Sequence, residues 1–167
     1  MPVDLPERFV LVTLHRAGNV DDRPWLTSAI ATLSDVSADI PVLFPVHPRT
    51  RQLLNGAIDN QCHGTVRLMD PLPYLDFLGL QTRAAAVITD SGGIQEETTF
   101  LGVPCLTVRE NTERPITVEL GTNVLVGRDM NRLRAELTRV LRGDVKPRSV
   151  PPLWDGHTAE RIAAIIQ

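Results

Sequence analysis

Cysteine is scarce in this chain: Cys62 and Cys105 are the only two among 167 residues, and no paired spacing joins them. That excludes a zinc motif or a dithiol redox motif, and the chain reads as reduced and cytosolic. Cys105, inside an apolar run, reads as a small core residue. Long apolar stretches are missing as well. None approaches the roughly 18 consecutive residues of a membrane span, and "MPVDLPERF" lacks the basic start and apolar segment of an export signal. No excess of basic residues exists either, with 17 Lys and Arg against 20 Asp and Glu. A nucleic-acid partner is therefore not expected, because phosphate-backbone binding needs a cationic face. Finally, the first strand-like run is followed by no "GxGxxG", and no "GxxxxGK[ST]" loop occurs anywhere, so neither an NAD nor an ATP fingerprint is present.

What is there is a chain 43% hydrophobic and 22% charged, the composition of one soluble globular domain. Six short runs rich in Val, Leu and Ile recur: "RFVLVTL", "IPVLFPV", "TVRLM", "AAAVITD", "PCLTVRE" and "NVLVG". Helical patterns separate them: "RPWLTSAIATLSDV", a stretch after Pro48, "YLDFLGLQTR", a helix from Gly92 to Leu101, and a short helix after Pro115. This alternation predicts an α/β fold with a doubly wound, mostly parallel sheet and helices on both faces, Rossmann-like in character. A helix near 129–143 is capped by Asp129, carries the apolar stripe Leu133, Leu137, Val140 and Leu141, and stops at Gly143. The last stretch, "PPLWDGHTAERIAAIIQ", reads as a proline-rich connection with Trp154 packed, then a closing amphipathic helix.

In open α/β sheets ligands bind beyond the carboxyl ends of the strands. The segments there are "HRAGNVDD", "HPRT", "DPLPYLDF", "DSGGIQEE" and "RENTERP", richer in His, Arg and acids than turns require. Ser91, Gly92 and Gly93 place free N–H groups at a helix start, an anion site that glycine leaves open to close approach. A plainer reading makes Ser91 only a helix cap, worth about 0.5–2 kcal/mol, with Glu96 and Glu97 favouring the first turns. Glu97 lies one turn after Gly93 on the same side of the helix, where a carboxylate can accept from ribose hydroxyls. His15 and His47 suit a phosphate donor or a general acid/base, or else a hydrogen-bonded structural role. Arg16, Arg49 and Arg51 read as surface charges, and His63 and His157 are assigned no role.

Together these segments resemble the non-hydrolysing UDP-N-acetylglucosamine 2-epimerase family. The likeness rests on "VTLHRAGNVDD", "FPVHPRT", "DPLPYLDFLGL", "DGHTAERI" and above all "ITDSGGIQEETTFLGVPCLTVRENTERPITVELGTNVLVG". The resemblance implies that residues 1–167 form a single UDP-sugar-binding C-terminal domain, the C-terminal half of a GT-B fold. The N-terminal domain with the principal catalytic carboxylates would then be absent. It further implies Ser91, Gly92 and Gly93 at the UDP diphosphate, Glu97 at the ribose, Phe77 against uracil, Arg114 on the sugar side, and His15 as a catalytic group facing the phosphates and the reacting sugar. The partners implied are UDP-GlcNAc or UDP, the N-terminal domain of the same enzyme, and a second copy in a full-length homodimer, with no cofactor, metal or membrane. In members that a second UDP-GlcNAc activates, Arg16 and His47 would belong to that allosteric site. Ala17 and Gly18 replace a charged pair of many bacterial members, which weighs against such regulation here. Two other readings stay open: the donor-binding domain of a GT-B glycosyltransferase, and a stand-alone nucleotide-sugar-binding module.

Overall fold

The computed structural model describes residues 5–54 and 66–166; Cys62 and His63 lie outside the described residues. Six strands form one sheet: β1 (Val10–Thr13), β2 (Val42–Pro45), β3 (Val66–Met69), β4 (Ala86–Thr89), β5 (Cys105–Thr107) and β6 (Asn123–Leu125). Their order is β3-β2-β1-β4-β5-β6, and every neighbouring pair is parallel. The expected mostly parallel sheet is thus wholly parallel. All six apolar runs become strands; β1, β2, β4 and β5 are buried on both faces, a setting that suits continuous β-branched and aliphatic residues, whereas the edge strands β3 and β6 are only partly buried.

The helices are α1 (Ala17–Val20), α2 (Arg23–Val36), α3 (Pro48–Leu54), α4 (Tyr74–Gln81), α5 (Gly92–Leu101), α6 (Pro115–Glu119), α7 (Met130–Leu141) and α8 (Thr158–Ile166). Alternation along β1 divides the core in two. Val10 and Val12 join Ile30 and Leu33 of α2 and Leu133 and Leu137 of α7, while Phe9 and Leu11 join Leu80 of α4 and, at its margin, Ile94 and Leu101 of α5. Helices therefore cover both faces, as the sequence pattern requires.

Two helices open on an acidic cap, Asp129 as read from the sequence and Asp22 not read there. Asp22 accepts from the Trp25 amide at the start of α2, and Asp129 accepts from the Asn131 and Arg132 amides at the start of α7. Burial pushes the Cys105 thiol up to about 11, consistent with an inert core residue. Gly102 ends α5 at φ 74°, and the Arg148 guanidinium fills the space a side chain would occupy there. That position therefore favours glycine by conformation, while the Arg148 guanidinium, at the far end of a flexible side chain, can move aside. One element was not foreseen: "AGNV" forms the single turn α1 where only a loop was expected. The expected closing helix α8 is amphipathic but has no buried residue, with Ile162, Ile165 and Ile166 exposed.

Candidate functional site

The chain runs outward from β1 through β2 to β3, then returns to place β4 beside β1 on the other side. This reversal is a switch point of the kind beside which open α/β sheets form a ligand crevice. Its floor is Asp90, fully buried, whose carboxylate accepts from the His15 amide at 3.1 and 3.2 Å, the Arg16 amide at 3.0 Å and Asn19 Nδ2 at 3.1 Å. His15 Nδ1 lies 2.9 Å from Asp90 Oδ1, and its side chain is 54% exposed. A carboxylate at Nδ1 fixes that nitrogen as the N–H of the neutral ring and turns Nε2 outward. Arg16 is more than a surface charge, since its Nε donates to the Asp90 carbonyl at 3.0 Å.

Beside this floor α5 begins. Ser91 is extended, at φ −85° and ψ 135°, and its side chain makes no capping hydrogen bond, unlike Asp22 and Asp129. The plainer cap reading of Ser91 is therefore not what the geometry displays. Its own amide is engaged, donating to Thr89 Oγ1 at 3.0 Å. Nothing lies within 4 Å of where a Cβ would stand on Gly92 or Gly93. First-turn N–H groups have no intrahelical acceptor and carry the positive end of the dipole. The opening over these two glycines can admit an anion. Glu96 and Glu97 lie beyond the first turn, which holds no acid.

On the β1–β3 side a cavity of about 190 Å³ is lined by Thr13, Leu14, His15, Pro45, His47 and Phe77. Three of the candidate residues, His15, His47 and Phe77, thus share one space. Glu97 instead faces a neighbouring groove of about 470 Å³ with Tyr74, Leu78, Phe100 and Trp154. Its Oε2 accepts from Gln81 Nε2 at 2.5 Å, and its charge raises the Tyr74 phenol above its ordinary value. Trp154, half-buried, lines this groove rather than joining the core clusters.

On the β4–β6 side a third cavity of about 340 Å³ is lined by Arg16, Asn19, Arg109, Glu110, Asn111 and Arg128. Arg16 and His47 therefore line different cavities. Arg109 grips Glu113 with two hydrogen bonds, at 2.8 and 2.7 Å, and holds its carboxyl down to about 2. Arg114 begins α6 and lies 2.9 Å from Glu96, a charge contact without hydrogen-bond alignment. Arg49 and Arg51 make surface ion pairs with Asp21 and Asp70, and exposed His157 lies 3.5 Å from Glu160. Among the described residues no three His, Cys, Asp or Glu side chains converge on a metal position, and no helix is long and apolar enough to cross a membrane. Sequence reasoning missed Asp90, the hub of the site, and Gln95, a wholly buried amide in α5. A signal was available in both cases: an acid directly after a fully apolar strand, and a polar residue on the inner face of a helix.

The same arrangement of strands and loops is found in known proteins. A family model described as UDP-N-acetylglucosamine 2-epimerase matches residues 2–167. The chain belongs to that family. The UDP-N-acetylglucosamine 2-epimerase of Methanocaldococcus jannaschii is 37% identical over 169 residues, covering 98% of this chain and 46% of the relative. A Pseudomonas aeruginosa relative, UDP-2,3-diacetamido-2,3-dideoxy-D-glucuronate 2-epimerase, is 42% identical over 142 residues, covering 81% of this chain and 39% of the relative. The crystal structure of the M. jannaschii epimerase in complex with UDP-GlcNAc and UDP superimposes with a TM-score of 0.83 at 37% identity, covering 96% of this chain and 45% of that one. The chain spans less than half the length of these epimerases. Its six-stranded parallel sheet is an epimerase-type, GT-B-like architecture.

Proposed function

We propose that the chain is the UDP-sugar-binding C-terminal domain of a UDP-N-acetylglucosamine 2-epimerase and that it does not epimerise alone. The observation that carries this reading is the start of α5, where Gly92 and Gly93 are open and the Ser91 hydroxyl is not engaged in capping. A diphosphate there accepts from the glycine amides and Ser91, stabilised by the helix dipole. Uracil lies against Phe77 in the cavity beside His47, with Glu97 at the ribose and Arg114 toward the sugar. Glu97 is already hydrogen-bonded to Gln81, which holds its carboxylate in place for a second donor.

In the reaction, the C2 proton is removed and the C1–O bond breaks, its electron pair leaving on the UDP diphosphate to give 2-acetamidoglucal. Protonation of C2 on the opposite face and re-addition of UDP then complete the inversion. This chain contributes stabilisation of the departing diphosphate, through α5 and through His15, whose Nε2 is turned outward by Asp90. Two candidate carboxylates among the described residues, Glu113 and Glu97, are otherwise committed. Glu113 is locked by Arg109 with its carboxyl at about 2, far below the range of a useful general base, and Glu97 serves the ribose. The groups for C2 belong to an N-terminal domain, whose presence the exposed apolar face of α8 also favours.

The test is the purified chain incubated with UDP-N-acetylglucosamine in deuterated water. We expect UDP-sugar binding with no deuterium at C2. Exchange at C2, or UDP-N-acetylmannosamine formed in proportion to the protein, would show a complete active site and refute the half-enzyme reading.

A further inference from the structure

Gln95 and Asn123 are fully buried amides, and a buried amide is tolerated only when its donors and acceptors are met. Here they meet each other. Gln95 Oε1 accepts from Asn123 Nδ2 at 3.0 Å and from Thr112 Oγ1 at 2.5 Å, while Gln95 Nε2 donates to the Ser91 carbonyl at 3.1 Å. Asn123 Oδ1 accepts from Thr107 Oγ1 at 2.6 Å, and Asn123 Nδ2 also donates to Thr117 Oγ1 at 3.1 Å. The network ends on the loop before α6. Thr112 Oγ1 accepts from the Arg114 amide at 3.0 Å, and Thr117 Oγ1 donates to the Arg114 carbonyl at 2.7 Å. Arg114 is thus held at both its N–H and its C=O by hydroxyls that are themselves bonded to the two amides.

Apolar side chains would fill this space without needing partners, so the polar lattice demands a reason beyond filling the core. Its endpoints supply one. They are Ser91, the first residue of the opening over Gly92 and Gly93, and the 112–114 loop, which Thr112 ties to Gln95. We propose that Gln95, with Asn123 behind it, is a positioning residue that sets the start of α5 in register with the 112–114 loop. It thereby preorganises the diphosphate subsite through Ser91, and through Arg114 the sugar side that adjoins it, without touching the ligand. The inference rests on the UDP reading above.

Gln95→Met keeps the volume of the side chain and removes all three of its hydrogen bonds. Calorimetric titration of UDP and of uridine, well below the melting midpoint, separates positioning from mere stability, because uridine lacks the diphosphate. Affinity for UDP falls by about tenfold or more while affinity for uridine stays within about twofold. A variant that melts lower yet binds both ligands in the wild-type ratio would overturn the proposal. Thr112→Val, at a half-buried position, guards against a Gln95 variant that does not fold. It removes two bonds of the network, the one to Gln95 Oε1 and the one from the Arg114 amide, and weakens UDP by about threefold, again sparing uridine; unchanged UDP affinity there overturns the proposal too. A wild-type chain that binds no UDP at all brings down the nucleotide reading and this inference together. A wild type that binds UDP beside variants that bind it equally well brings down the positioning role alone.

Discussion

The two sides of the crevice are built differently. On the β1–β3 side, His15, His47 and Phe77 line a small cavity whose other walls are largely apolar, from Leu14 and Pro45. On the β4–β6 side a connected polar lattice lies buried behind the surface, from the Ser91 carbonyl through Gln95 to Asn123 and Thr117. An apolar wall suits a flat base, which needs surface and few directed bonds. A diphosphate needs donors fixed in direction, and fixing them takes second partners behind each one. The contrast teaches that the rigid side is where the reading of function is most exposed to test.

Asp90 joins the two sides, and removing its charge should have the largest effect. Asp90→Asn sets an NH₂ group among donors and leaves the His15 and Arg16 amides short of acceptors. We expect a loss of about 2 kcal/mol or more in urea unfolding, together with release of His15 Nδ1, read as a change in its ring ¹⁵N shifts. Next comes the open start of α5. The double change Gly92→Ala and Gly93→Ala meets no atom in the free protein, so the melting temperature should hold or rise. UDP affinity should nevertheless fall by about tenfold or more, since charge-assisted bonds to phosphate are lost. A double variant that binds UDP normally would break the comparison on its polar side.

Glu97→Gln should act more gently. It keeps the shape and the Gln81 neighbour while replacing a charged acceptor with a neutral one, weakening UDP by about fivefold with little change in melting temperature. If stability falls and affinity does not, Glu97 serves the fold. The smallest effect concerns Glu113, whose carboxyl Arg109 lowers from an ordinary 4.5 to about 2. A folded-state value below the unfolded one contributes stability above about 4.5, and that contribution is lost as pH falls toward 2. The difference in melting temperature between wild type and Glu113→Gln should therefore be small at neutral pH, because the pair is partly exposed, and should vanish near pH 2.

The fold was legible in the sequence because one signal recurred six times. Each apolar run was too short for a helix, most were too continuous for a half-exposed strand, and the helix near 129–143 carried its own cap at Asp129. The site was legible in part. His15, Ser91, Gly92 and Gly93 follow strands or open helices, positions that local pattern marks, whereas Phe77, inside α4, was implied only by the family resemblance. Asp90 and Gln95 escaped because their importance lies in partners distant in sequence, His15 and Asn19 for the one, Thr112 and Asn123 for the other. The groove around Glu97 was equally invisible, since it depends on Tyr74 and Trp154 meeting across two separate segments.

The most direct test of the central claim is amide mapping by two-dimensional NMR during titration with UDP. The account predicts the largest shifts at Ser91, Gly92, Gly93 and Ile94, a second group at His47 and Phe77, and little change along α7. Saturating UDP that leaves the start of α5 unmoved, or shifts it no more than α7, would contradict the assignment of the diphosphate to that helix.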